Sequence, residues 1–136
     1  MSNKIFSLVV GDDIYPLESL REALRDVEVD TAAVTSCEKA ARLIVQTEPT
    51  LIFTAKMVSD GSWLEIVSLV EKSGVPANVI LVVKEPDVGL YLNCIERGVY
   101  DFVVPPFEKA PLSHIVRSAW LDVQKRRTDL ARLEVA

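Results

Sequence analysis

Five short apolar runs punctuate the chain: Ile5–Val10, Thr31–Val34, Leu51–Thr54, Val79–Val83 and Phe102–Val104. They are rich in β-branched residues and lack polar alternation, the pattern of strands covered on both faces of a parallel sheet. The second run is the weakest, because Glu28–Val34 mixes polar and apolar residues. Between the runs the apolar period lengthens to that of a helix. Leu17, Leu20 and Leu24 fall on one face of a first helix, with Pro16 suited to its first turn. Thr35 or Ser36 predicts the cap of a second helix, and Thr35-x-x-Glu38 matches a capping box. Ser62-x-x-Glu65 matches the same box and opens a third helix at Trp63. Pro86-Asp87 precedes a fourth helix that Gly98 ends. A fifth starts near Glu108 and runs past Arg127, with Leu112, Ile115, Val116, Ala119 and Val123 as its apolar stripe. Gln124 to Ala136 reads as a charged helical extension or a frayed tail.

Strands alternating with helices imply right-handed crossovers and an α/β fold, a three-layer αβα sandwich around a doubly wound, five-stranded parallel sheet. The length of 136 residues suits one core. A net charge of −5 argues against broad nucleic-acid binding, which needs a basic footprint. The early apolar run is shorter than the h-region of a signal peptide and Asp12 and Asp13 follow it at once, so no leader is expected. No stretch approaches the roughly 18 apolar residues of a membrane span, so no membrane partner is expected either. Cys37 and Cys94 stand apart in helical patterns and read as free thiols of a cytoplasmic protein. His114, the one histidine, cannot build a metal cluster alone.

Three stretches carry a family resemblance. "LVVGDDIYPLESLREAL" combines a first strand, an acidic turn and a first helix. "DGSWLEIVSLV" leads into the third helix, and "ERGVYDFVVPPF" precedes the last. Together they resemble the receiver domain of response regulators (CheY-like). The resemblance spans residues 4 to 124 and divides the chain into a receiver-like domain, 1–124, and a C-terminal extension or tail, 125–136. It implies the flavodoxin-like strand order 2-1-3-4-5. It also implies a place in a bacterial two-component or phosphorelay pathway.

A working receiver carries a phosphoryl-accepting carboxylate at the end of its third strand and two Mg²⁺-holding acids after the first. A Thr or Ser ends the fourth strand, and a Lys precedes the proline after the fifth. Metal and ammonium neutralise the charge of the transferring phosphoryl group, while the hydroxyl hydrogen-bonds its oxygens. Carried over by position, the acceptor falls on Ala55, the hydroxyl on Val83 and the Lys on Pro105. The acids fall on Gly11 and Asp12, or on Asp12 and Asp13 if the loop shifts by one residue. The resemblance is therefore to a degenerate receiver with no catalytic residue and no cofactor beyond weak Mg²⁺ at Asp12 and Asp13. Thr54 and Asp60 are nearby substitutes for the acceptor, but Thr54 points the other way from residue 55 and Asp60 belongs to the turn into the third helix.

Two further expectations concern charge and switching. Lys56 or Lys84 would reach Asp12 or Asp13 and stand in for the metal, because an opposite charge within ~4–6 Å stabilises clustered carboxylates. Phe102 falls on the family's switch aromatic and is expected to pack inward. Pro105–Pro106 is expected to be cis, as receivers usually are there. Leu90, Tyr91, Phe102, His114, Arg117 and Trp120 would contribute to the helix-four, strand-five, helix-five surface by which receivers dimerise or meet partners. Lys125, Arg126, Arg127 and Arg132 read as cations placed favourably at a helix C-terminus. The reading of function is a phosphorylation-independent, non-enzymatic signalling module that works through a protein partner. Its rival is a small-ligand domain reusing the pocket at Gly11, Ala55 and Val83.

Overall fold

Main-chain hydrogen bonds join the apolar runs into one parallel sheet in the computed structural model, which describes residues 4–12 and 14–135. The chain order is β1 (Ile5–Val10), α1 (Leu17–Asp26), β2 (Val29–Val34), α2 (Cys37–Thr47) and β3 (Leu51–Ala55). A two-stranded hairpin follows, β4 (Met57–Val58) and β5 (Gly61–Ser62), then α3 (Trp63–Ser73), β6 (Asn78–Val82), α4 (Val88–Glu96), β7 (Asp101–Val103) and α5 (Lys109–Val135). The large sheet runs β2-β1-β3-β6-β7 with every pairing parallel. Leaving out the small hairpin, this is the expected doubly wound order 2-1-3-4-5.

Strand alternation sends side chains into two separate cores. Leu8, Val10, Ile52 and Leu81 face α2, α3 and Cys94 of α4. Val9, Phe53, Ile80 and Val103 face α1 and α5. All five residues of β3 are buried, so the continuous apolar run at Leu51 follows from its central place. The mixed composition of β2 has the opposite cause. It lies at the sheet edge, buries only its two ends and exposes Asp30 between them. The strand begins two residues before the apolar run, because Val29 is buried and in register with Ile5.

The helix starts match their sequence signals with one substitution of roles. Ser62 accepts a hydrogen bond from Leu64 N–H and Asp87 from Leu90 N–H. Ser36, not Thr35, caps α2 by accepting from Lys39 N–H, and Glu38 pairs with Arg42 instead of closing a capping box. The Tyr15–Pro16 and Pro105–Pro106 peptides are cis, the second as anticipated.

From residue 125 to Val135 the chain continues as helix. α5 runs for 27 residues, about 40 Å at 1.5 Å per residue. Two of its cations are held by the feet of the strands. Arg127 Nη2 donates to the carbonyls of Glu48 at 3.0 Å and Pro76 at 3.1 Å, in the turns that enter β3 and β6. Arg126 Nη2 donates to Asn78 Oδ1 at 2.6 Å, and Asn78 Nδ2 donates on to Ala119 O and Asp122 Oδ2. Arg126 Nε lies 3.2 Å from the same Asp122 carboxylate, too far off-axis for a hydrogen bond. Both guanidinium groups are therefore structural, where the sequence suggested solvated charges.

Replacing Arg127 with alanine removes charge-assisted bonds to two turns at once. It should lower stability by about 1–2 kcal/mol, read as a reduced midpoint in urea unfolding. Arg127→Lys should recover less than half of that loss, because one ammonium lacks the planar fork that spans both turns.

Candidate functional site

The carboxyl ends of β1, β3, β6 and β7 form the rim where the sequence places the degenerate pocket. Its floor is apolar. Ala55 ends β3 at 7% exposure, in one cluster with Val9, Phe53 and Leu17. Gly11 has a φ of +151°, and a Cβ there would sit 2.5 Å from Leu17 Cδ1 and 3.0 Å from Ala55 Cβ. The first turn of α1 thus drops a leucine into space that a side chain at position 11 would need. Thr54 is fully buried and its hydroxyl donates to the Ala55 carbonyl at 2.9 Å, so it offers no nucleophile to the rim. Val83 is buried and its N–H bonds the Val103 carbonyl, which joins β6 to β7 beyond the ladder. Pro105 is half-buried at the mouth.

The charged residues do not converge as anticipated. Asp12, Lys56 and Lys84 are all exposed. Among the described residues, neither lysine comes within ion-pair distance of Asp12. Asp13 lies outside the described residues. Lys56 instead lies near Cys94. Burial raises that thiol's pKa, the Lys56 charge opposes the shift, and Asp87 adds to it. The donor set does not fit a receiver's Mg²⁺, since Gly11 and Ala55 bring no side-chain oxygen. Among the described residues, no three His, Cys, Asp or Glu side chains gather as a metal cage.

The segment after β3 forms a small hairpin that no apolar run announces. β4 and β5 pair antiparallel, Met57 with Ser62 and Val58 with Gly61, around a Ser59-Asp60 turn. The Asp60 carboxylate accepts from Cys37 N–H at 2.6 Å and Glu38 N–H at 3.1 Å, so it caps the start of α2 across the fold. Ser59 Oγ adds a bond to the Thr35 carbonyl at 3.0 Å. Gly61 is needed for the approach, because a Cβ there would meet Glu65 Cγ at 2.8 Å and Cys37 Sγ at 3.1 Å. The Cys37 and Glu38 amides hold the Asp60 carboxyl below its ordinary range, with Cys37 the larger cause. Burial, with Asp60 and Glu65 beside it, pushes the Cys37 thiol up to about 11, so it stays protonated. Asp60 is a helix cap rather than a spare acceptor. The Asp60-Gly61 pair signals a turn here but lies one residue out of register with it, since Gly61 already belongs to β5.

On the opposite flank, Phe102 is half-buried and packed against the α2–α3 core. Its ring centroid lies 5.6 Å from that of Tyr91, tilted by 33°. The two rings, with Val88, Val104 and Pro86, line a surface groove of about 270 Å³ between α4 and β7. Leu90 is half-buried behind it, packed on the α2–α3 core. His114 and Arg117 are exposed on α5 and Trp120 is half-buried there, none of them lining this groove. Among the described residues, no helix is long and apolar enough to cross a membrane.

Solved structures with a similar fold include receiver domains. The signal receiver domain of an HD domain-containing protein from Pseudomonas fluorescens matches with a TM-score of 0.80 at 18% identity, over 94% of this chain and 95% of that one. A response regulator receiver domain protein from Clostridium thermocellum matches at 0.74 and 16% identity, over 93% of this chain and 98% of that one. NtrX from Brucella abortus matches at 0.79 and 21% identity, over 94% of this chain but 29% of that longer one. No protein-family model matches the sequence, and no curated protein matches it. The architecture is therefore that of the receiver fold, and the three-layer sheet order agrees with it.

Two outcomes test this geometry. Gly11→Ala should cost about 1–3 kcal/mol through overpacking, and Leu17→Ala in the same chain should cancel part of that cost, read as non-additivity in chemical unfolding. Asp60→Ala should lower the melting temperature at neutral pH. Because the folded Asp60 pKa is depressed, its contribution is complete above the ordinary value of 3.8 and is lost as pH falls through the lower folded value. The gap between the two melting curves should therefore close on acidification.

Proposed function

We propose that the chain is a phosphorylation-independent receiver-like module of a bacterial two-component or phosphorelay pathway, acting in the cytoplasm by binding a signalling protein partner. The observation that carries the reading is the rim itself. The place of the acceptor is an alanine sealed under Leu17, and the places of the hydroxyl and the ammonium are Val83 and Pro105. None of these groups can accept, bind or neutralise a phosphoryl group, so the module has no enzymatic step and needs no cofactor. The receiver architecture remains, with a surface available for contact. The exposed side chains of Val88 and Tyr91 and the half-buried ring of Phe102 make the α4–β7 groove its partner-facing side, open to a second copy as well. The rival reading, a small ligand seated among Gly11, Ala55 and Val83, has less support, because Leu17 and Ala55 already crowd the Gly11 side of that space.

Incubation with acetyl phosphate and Mg²⁺, followed by intact-mass measurement, should leave the mass unchanged. A phosphoryl adduct mapped to Asp12, Asp13 or Asp60 would overturn the reading. Ala55→Asp should still fail to hold a stable adduct, since it restores one group of the set.

A further inference from the structure

α5 buries its inner face by a strict three-four spacing through Val116, Ala119 and Val123. The same spacing continues through Arg126 to Leu130 and Leu133, past the end of the sheet. Those two leucines are 46% and 73% exposed. They form one wall of a groove of about 490 Å³ whose opposite wall is the end of α3, at Val67 and Val70. The floor is the turn that enters β6. Its volume lies within the range of formed binding sites, roughly 300–1,000 Å³.

The shape and the charge of this groove narrow its occupant. Both walls are helices, and leucines three apart in such a stripe are the knobs that one helix offers another. The groove therefore lacks a third helix. Its open charge is acidic. Glu71 on α3 and Asp129 on α5 line it, and among the described residues neither has an ion-pair partner within 4 Å. The cation in the groove, Arg126, is already committed to Asn78 and Asp122. We infer that the groove between the end of α3 and the extension of α5 receives an amphipathic helix of a partner protein, with leucine-type residues at three-four spacing and lysine or arginine on its flanks. This helix-in-groove mode has no part in the rim chemistry or in the α4–β7 groove.

The test uses the full chain and two fluorescein-labelled peptides of about four helical turns, roughly 14 residues. Both carry leucine at three-four spacing; one has lysine flanks and the other glutamate. In fluorescence anisotropy at low salt the lysine peptide should bind at least about tenfold more tightly. Glu71→Lys combined with Asp129→Lys should reverse that order. Leu133→Asp should abolish binding of both peptides with an unchanged circular dichroism spectrum, since its side chain is exposed. Tyr91→Ala, in the other groove, should leave both peptide affinities as they are, so failure here is distinguishable from failure of the signalling reading. Three results would overturn the inference: no binding of either peptide, equal binding of the two, or binding indifferent to Leu133→Asp. Sedimentation equilibrium adds a fourth. Self-association that Leu133→Asp abolishes would assign the groove to a second copy of this chain instead.

Discussion

The double-sided burial of β3 is the constraint from which the rest follows. Leu51–Thr54 pair with β1 on one side, all five residues pair with β6 on the other, and helices cover the strand above and below. A strand in that position tolerates no unpaired charge along its length. A receiver that keeps its acceptor at the end of this strand has to hold that carboxylate with metal, ammonium and hydroxyl. In this chain the strand ends in Ala55, and the nearby positions are apolar or closely packed. Leu17 comes down from α1, Ala55 is small enough to accept it, and Gly11 leaves the room. The space at this strand end is thereby a continuation of the α1–α5 core.

The segment beyond β3 ties two parts of the fold together. A two-stranded hairpin sends Asp60 to the amide groups of Cys37 and Glu38. A carboxylate at a helix N-terminus meets both unsatisfied N–H groups and the positive end of the helix dipole. The hairpin and α2 are thus bound together, next to the Cys37 thiol that burial keeps protonated. The polar chemistry near this rim now serves cohesion.

Much of this was legible in the chain. The apolar runs at Ile5, Leu51 and Val79 declare buried parallel strands because their side chains have no solvent face. The caps at Ser62 and Asp87 are local devices whose partners lie two or three residues away, so sequence spacing reveals them. That positions 55, 83 and 105 hold Ala, Val and Pro is read directly, and their match to the acceptor, hydroxyl and ammonium is what the resemblance implies. What escaped was long-range. Asp60 finds its partners 23 and 22 residues back along the chain, and Arg127 finds one 79 residues back. No periodicity encodes such contacts. The pairing of Lys56 or Lys84 with Asp12 failed for the related reason that nearness of charges at strand ends does not fix where long side chains point. Phe102 stays half-buried because Tyr91 gives its ring a partner at the surface.

The latch of Arg126 and Arg127 on the strand feet has a mechanical consequence. It clamps α5 where the sheet ends, leaving residues 128–135 beyond the clamp, roughly 12 Å of helix. A helix held that way is a cantilever. A load on Leu133 is felt as torque at the clamp, in the turns that enter β3 and β6, and through them along the two central strands. The domain's outermost tip and its buried centre are thus joined by a stiff arm with a single fulcrum.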